Sequence, residues 1–327
     1  KVDELMALCD RAQASKENRN ELQQQLRQSA IHALETAETE EEFNKSWHFV
    51  RDNFSAIVQS KDDIRIWRGL VIDLALLGKL TYQSSEDESV DKLLARIALE
   101  KQNLIQSGKI KQNIGKENLE TSYFTQLPNG WKYCYLKDLT LFGPRNGYSP
   151  KSVEYPTSVC SITLTAITSG KFNGNYYKYV NEDIDPNSYL WLQPGDLLIQ
   201  RSNTLAYVGS CAIYDQDPGK YIYPDLIMRV RVSQELDLHY IYFVITSNAS
   251  KKYFQENASG TSGTMPKINQ KIVNYLPIPL PPLEEQKRIV TKVNELMKIC
   301  DRVEENLRKK EELASAISAS VIHHLEL

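Results

Sequence analysis

The feature that most constrains this chain is a long-range repeat. Lys1–Arg11 (KVDELMALCDR) and Lys292–Arg302 (KVNELMKICDR) are identical at 8 of 11 positions. The same offset of 291 residues aligns Glu21-Leu22 with Glu312-Leu313, and Ser29, Ile31-His32 and Leu34-Glu35 with Ser320, Ile322-His323 and Leu325-Glu326. Residues 1–35 and 292–326 share 15 identities with no gap. An insertion would rotate a helix's apolar stripe off its partner, so an ungapped repeat predicts two equivalent helices.

The stripe supports this. Val293, Leu296, Cys300, Val303, Leu307, Ala314, Ile317 and Val321 follow spacings of three and four, broken at Lys310. Val2, Leu5, Cys9, Ala12, Leu26, Ala30 and Ala33 run along the first copy, interrupted by Lys16, Arg19 and Gln23. Two similar seams in one chain most simply pack against each other, although an ordinary helical hairpin has the same periodicity. At about 1.5 Å per residue, each helix is a rod of roughly 50 Å.

Composition locates the boundary between these helices and the rest. All 13 prolines lie between Pro128 and Pro282, and 17 of 18 tyrosines between Tyr123 and Tyr275. Proline punctuates turns and tyrosine favours strands, so the middle is a strand-and-loop domain with helical flanks. The expected division is a helical region over 1–108, a linker over 109–120, a mixed α/β domain over 121–283 and a second long helix over 284–327. The fold class is therefore α+β.

Within the first region, the long helix covers about 1–36. Thr39-x-x-Glu42 is a capping box for a second helix reaching about Val58. Ser60-x-x-Asp63 opens a third, ended by Gly78, and Ser89 opens a fourth, ended by Gly108. Pro281-Pro282 leads into the last helix.

The net charge of −3 gives no global basic signal for nucleic acid. Residues 121–280, however, hold 14 Lys+Arg against 12 Asp+Glu, while the remainder holds 25 against 30. Cys9, Cys134, Cys160, Cys211 and Cys300 form no C-x-x-C pair, which points to a reducing cytoplasm; Cys9 and Cys300 share one repeat position and read as small core residues. No apolar run reaches the length of a membrane span. The chain begins without a methionine, which points to a fragment or a processed product.

Four stretches resemble the specificity (S) subunit of type I restriction–modification systems. LPNGWKYCYLKDL (127–139) resembles the start of a target recognition domain, and GDLLIQRSN (195–203) with Val208-Gly209 its internal strand and turn. PPLEEQKRIV (281–290) is similar to that domain's closing signature, and IWRGLVIDLALLGKLTYQ (66–83) to a helix of the central conserved region. A whole S subunit alternates two recognition domains with two conserved helical regions, whereas only one recognition domain is visible here. The chain thus resembles either the C-terminal half of an S subunit or a natural half subunit that pairs with a second copy of itself.

The resemblance implies a DNA-binding adaptor. It reads one half of a bipartite double-stranded target, docks methyltransferase (M) subunits and joins restriction (R) subunits in the full complex. The resemblance also implies that the long helices pack as an antiparallel coiled coil and set the distance between half-sites; a rod of roughly 50 Å spans on the order of 15 base pairs. A four-residue insertion near Gln23 is expected to change that spacing, seen as a shift between methylated sites. No cofactor is expected on this chain itself; S-adenosylmethionine, ATP and magnesium belong to the partner subunits.

The residues themselves also argue against catalysis. Asp185-Pro186-Asn187-Ser188-Tyr189 departs from the Asp/Asn-Pro-Pro-Tyr/Phe pattern of an amino-methyltransferase and reads as a turn. Gly78-Lys79-Leu80-Thr81 lacks the upstream glycine of a phosphate loop, which is Asp73 here. Pro224-Asp225 is not followed by a nuclease-type acidic-x-Lys pair, and His323-His324 lack ligand spacing.

For DNA reading, three polar segments of the middle domain are candidates. Arg145, Asn146, Tyr148 and Lys151 lie on a predicted loop around Gly147 and offer guanine- and adenine-type readers. Arg201, Ser202, Asn203 and Thr204 follow a predicted strand, with structural turn residues as the competing reading. Thr264, Lys267, Asn269, Gln270 and Lys271 lie on a small-residue loop that suits phosphate contact or is simply a solvated loop. Tyr176, Tyr177 and Tyr179 read as a strand surface before a base-stacking platform. Two rivals of other classes remain open: a helical scaffold whose tyrosine-rich domain binds a protein or glycan, and the recognition end of a fused restriction–modification enzyme.

Overall fold

The computed structural model describes residues 1–108, 110, 127–260 and 265–325, with side chains described as far as residue 320 at the C-terminal end. Of the predicted linker over 109–120 only Ile110 is among them. Thr264 and the side chain of Val321 lie outside the described residues.

The fold is α+β. The helices before the middle block are α1 (Val2–Thr36), α2 (Glu40–Asp52), α3 (Phe54–Ile57), α4 (Lys61–Leu76) and α5 (Val90–Gln106). Next come β1 (Lys132–Tyr135), α6 (Leu136–Leu139), β2 (Thr140–Asn146), β3 (Ser152–Val153), β4 (Val159–Ile162), α7 (Thr165–Thr168) and β5 (Tyr177–Val180). The block continues with β6 (Leu197–Gln200), β7 (Cys211–Ile213), β8 (Ile227–Val232), α8 (Leu238–Thr246), α9 (Asn248–Asn257), α10 (Gln270–Asn274) and β9 (Pro277–Leu280), and α11 (Leu283–Leu325) follows. Two compact units result: residues 1–74 with 293–327, and residues 75–292.

In the helical unit the caps form as the sequence dictates. Thr39 Oγ1 accepts from the Glu42 amide at 3.2 Å, and Glu42 Oε2 accepts from the Thr39 amide at 3.3 Å. Asp63 closes the second box with the Ser60 amide at 2.9 Å while its other oxygen pairs with Arg27 of α1. The helix expected to reach Val58 instead breaks at Asn53. That side chain donates to the Phe49 carbonyl at 2.9 Å, a local bond that competes with helix continuation. Against α11, Arg68 of α4 pairs with Asp301 at 2.7 Å and Glu304 at 2.8 Å, and Lys61 pairs with Glu311 at 2.7 Å.

The repeat seams are buried only in part. Ala30 and Leu34 of α1 and Val293 and Cys300 of α11 are buried; Leu26, Leu296, Val303 and Leu307 are half-buried. Val2, Leu5, Cys9 and Ile317, predicted as packing positions, are instead exposed, and Cys9 is no core residue in this chain. Periodicity told which face is apolar, but not how far along each rod a partner reaches.

The second unit extends beyond the 121–283 block expected from composition because α5 is tied to it. Arg96 pairs with Glu235 at 2.6 Å, and the Lys101 ammonium donates to the Lys137 carbonyl at 2.6 Å. Strands β1 and β9 pair antiparallel, Lys132 opposite Leu280 and Tyr135 opposite Pro277, so the two ends of the block close on each other. Four strands form an antiparallel sheet in the order β2-β8-β6-β7, and three form a second in the order β3-β5-β4. A core of Ile162, Ile167, Leu192, Leu198, Tyr214, Tyr223 and Ile227 fills the interior.

The closing signature is held by chemistry at that junction. The Trp131 indole donates to Glu285 Oε2 at 3.0 Å, and Gln286 Oε1 accepts from the Asp237 amide at 3.0 Å. The Arg288 guanidinium pairs with Asp87 and lies 4.7 Å from the centre of the Tyr82 ring. Burial raises the Glu285 carboxyl to about 7, against the pull of the Trp131 hydrogen bond and Arg288. Gly78 adopts φ +68°, and a Cβ there would stand 2.5 Å from Pro128, so glycine both ends α4 and admits the start of the block.

Candidate nucleic-acid interface

The candidate residues come from three separate stretches, and a fourth holds them in place. Residues 223–227, which lead into β8, lie between the others. The Tyr148 amide donates to the Tyr223 carbonyl at 2.9 Å, the Gly147 amide to Ile227 at 3.3 Å, and the Arg201 amide to Leu226 at 2.8 Å. Ser149 Oγ bonds the Asp225 carboxylate. Gly147 has no alternative: a Cβ there would stand 1.9 Å from the Tyr223 carbonyl oxygen. The loop over 201–204 meets the loop over 265–268 through Ser202 Oγ, which donates to the Pro266 carbonyl at 3.1 Å, and the Ile268 amide, which donates to Arg201 at 3.0 Å. Finally, the Gln270 side-chain amide donates to Asn146 Oδ1 at 3.4 Å, joining α10 to the end of β2.

One end of the sheet, where β2 and β6 finish and β8 begins, thus carries Arg145, Tyr148, Thr204, Lys267, Asn269, Gln270 and Lys271 as exposed residues, with Asn146, Arg201 and Asn203 half-buried; Lys151 is exposed further along the chain. Some of these side chains are already used by the fold. Ser202 is fully buried, and Asn269 caps α10 by accepting from the Ile272 amide at 3.0 Å. Asn203 accepts from the Thr204 amide at 2.7 Å. Ser202, Asn203 and Asn269 thus each have a structural role.

Arg145 and Asn146, expected on a loop, are instead the last two residues of β2, paired with Arg229 and Met228 of β8, and leave the strand on opposite faces. The Arg145 guanidinium lies 3.4 Å from the centre of the Tyr189 ring, a cation–π stack that holds its fork while leaving it exposed. The Tyr223 hydroxyl donates to the Arg145 carbonyl at 3.3 Å, and burial pushes that phenol's pKa up, so it stays a neutral donor. Tyr189 closes the turn over 185–189, where Asp185 Oδ1 accepts from the Asn187 amide at 2.8 Å. The sequence marked that turn but gave no signal of its role beneath Arg145, because the two residues meet only through the sheet. Asp225 and Leu226 were missed for the same reason.

Behind this end of the sheet, Asp196 is fully buried between Arg231, at 2.6 Å, and Arg229, at 3.4 Å. These arginines are structural anchors. Tyr177 and Tyr179 project on one face of β5 with their hydroxyls 3.2 Å apart and their rings edge to face. Among the described residues, no group of three or more His, Cys, Asp or Glu is placed to hold a metal ion.

Residues 128–314 match a protein-family model described as the type I restriction modification DNA specificity domain. The chain is 28% identical over 338 residues to the specificity subunit of type I restriction enzyme EcoAI from Escherichia coli, covering 98% of this chain and 55% of that protein. Its identity to the EcoEI specificity subunit from the same organism is 24% over 330 residues, covering 98% and 55%. This chain thus spans about half the length of the relatives it matches. Among solved structures, the HsdS subunit from Thermoanaerobacter tengcongensis is similar at a TM-score of 0.42, with 14% identity over 77% of this chain and 68% of that one.

Proposed function

This chain belongs to the type I restriction modification DNA specificity family, and we propose that it is a non-catalytic, sequence-specific reader of double-stranded DNA. The observation that carries the reading is the convergence at one end of the sheet of Arg145, Asn146, Arg201, Lys267 and Gln270, from three stretches far apart in sequence. Arginine and amide side chains read base edges, and lysines neutralise phosphate. In this reading the recognition unit binds one half of a bipartite target. The helices α1 and α11 set the offset to the other half-site and dock methyltransferase subunits, and restriction subunits join them in the larger assembly. The relatives' names supply that context, since they are specificity subunits of restriction enzymes. The other half-site reader is either a second recognition domain, for which the greater length of the relatives leaves room, or a second copy of this chain.

Salt titration of binding to a duplex library tests the reading. DNA binding falls steeply with salt, while a glycan or protein bound through tyrosines responds weakly. Lys267→Ala is expected to weaken all sequences alike and to lower the salt slope by about one unit. Arg145→Ala is expected to relax one base-pair preference at a cost of about 1–3 kcal/mol. Salt-independent retention of the library by the intact chain would remove the proposal.

A further inference from the structure

We infer that Asn146 and Gln270 act as one unit, a paired-amide reader for the adenine of an A·T base pair in the major groove. The inference rests on the DNA-reading role proposed above and names what one part of that end of the sheet recognises. Asn146 ends β2 and Gln270 begins α10, and the fold brings them within 3.4 Å, with Gln270 Nε2 donating to Asn146 Oδ1. Gln270 is exposed and Asn146 half-buried, so the pair is accessible from the surface. Neither is consumed as a helix cap; the cap of α10 is Asn269.

The bond between them decides what is left over. Asn146 Oδ1 and one Nε2 hydrogen of Gln270 satisfy each other. The pair then offers Asn146 Nδ2 as a donor beside Gln270 Oε1 as an acceptor. Adenine presents the matching set in the major groove, an N7 acceptor next to an N6 donor. Guanine presents two acceptors, N7 and O6, so Gln270 Oε1 would meet O6 with no proton between them. Cytosine and thymine each offer a single polar group; the competing acceptor–donor set is guanine O6 beside cytosine N4 across a G·C pair, and relaxation at a G·C position is its signature. Each amide also fixes its neighbour's rotation, so less freedom is lost on binding than for two independent side chains.

The two residues sit on supports the fold has already secured. Gly147, immediately after Asn146, is locked against the Tyr223 carbonyl, and the Asn269 cap sets the direction of α10. Arg145 leaves the strand on the other face, against Tyr189, so it addresses a different position from the amide pair.

The test is enrichment from a randomised duplex library, using the full chain and the variants Asn146→Ala, Gln270→Ala and Gln270→Glu. Thermal melts of each variant establish that the fold is kept. The expected result is a wild-type consensus with an adenine that both alanine variants relax, at the same position, by about tenfold. Gln270→Glu keeps an acceptor but loses the donor to Asn146 Oδ1, and is expected to relax that same position. A variant consensus identical to wild type would overturn the pair, as would relaxation at a G·C position or at two different positions. A wild-type chain that enriches no sequence would instead overturn the DNA reading itself, and this inference with it.

Discussion

The two copies of the repeat share most of their first eleven residues and meet opposite fates. Val293 is 0% exposed and Val2 is 71% exposed, although each is the second residue of its copy. Cys300 is buried and Cys9 exposed. Toward the other end the contrast reverses, since Leu26 is half-buried while its equivalent Ile317 is 61% exposed. In the first copy the buried end bonds to α4 through Arg27 and Asp63; in the second it bonds to the same helix through Arg68, Asp301 and Glu304. One short helix serves opposite ends of two matching rods. The lesson is that an apolar stripe states a capacity for packing, and the neighbour decides where it is realised. The recognition unit is the contrasting case: it has no repeat, and it closes its ends on each other through β1 and β9 and through Trp131 and Glu285.

The sharpest way to break this comparison is to place the same charge at equivalent positions. Val293→Asp is expected to destabilise the chain by about 4 kcal/mol, because a carboxylate would be buried without a partner. Val2→Asp is expected to change stability by about 0.5 kcal/mol or less. Urea unfolding of the two variants measures both, and similar midpoints would erase the distinction between the copies.

The next effect belongs to the recognition unit. The Glu285 carboxyl is raised by burial from 4.5 to about 7. Below the ordinary value both folded and unfolded chains hold the proton; between the two values only the folded chain does. Stability from this group therefore falls as pH rises through that window and levels off above it, by on the order of 3 kcal/mol. Glu285→Gln keeps an acceptor for Trp131 and removes the titration, so its unfolding midpoint is expected to stay flat where the wild type declines. A wild type that is equally flat would show that the junction does not hold a buried acid.

The smallest effect sharpens the account of α4. Arg68→Ala removes the partner of Asp301 and Glu304, all three at least partly exposed, and is expected to cost about 1 kcal/mol. High salt should reduce the difference from wild type, since screening weakens such pairs. A loss that is unaffected by salt would point to packing against Met297, 3.9 Å away, in place of charge.

Much of the architecture was legible in the residues. Thr39 with Glu42 and Ser60 with Asp63 form the boxes their spacing announces, and Gly78 takes the left-handed turn that ends α4. The proline boundaries enclose the strands. The candidate site was readable as three polar stretches, but the roles within it were not. Ser202 and Asn269 are spent on the fold, and Tyr189 supports Arg145 from a distant turn.

By itself the sequence determined what is local: helix periodicity, caps and turn glycines. Each of these depends on atoms a few residues apart, so the chain carries the information in place. Only the tertiary structure decided which half of each repeat is covered, that Glu285 sits buried beneath Trp131, and that Asn146 meets Gln270. Those outcomes depend on which distant surface arrives at a given face, and on how much water it removes, which no short window of residues encodes.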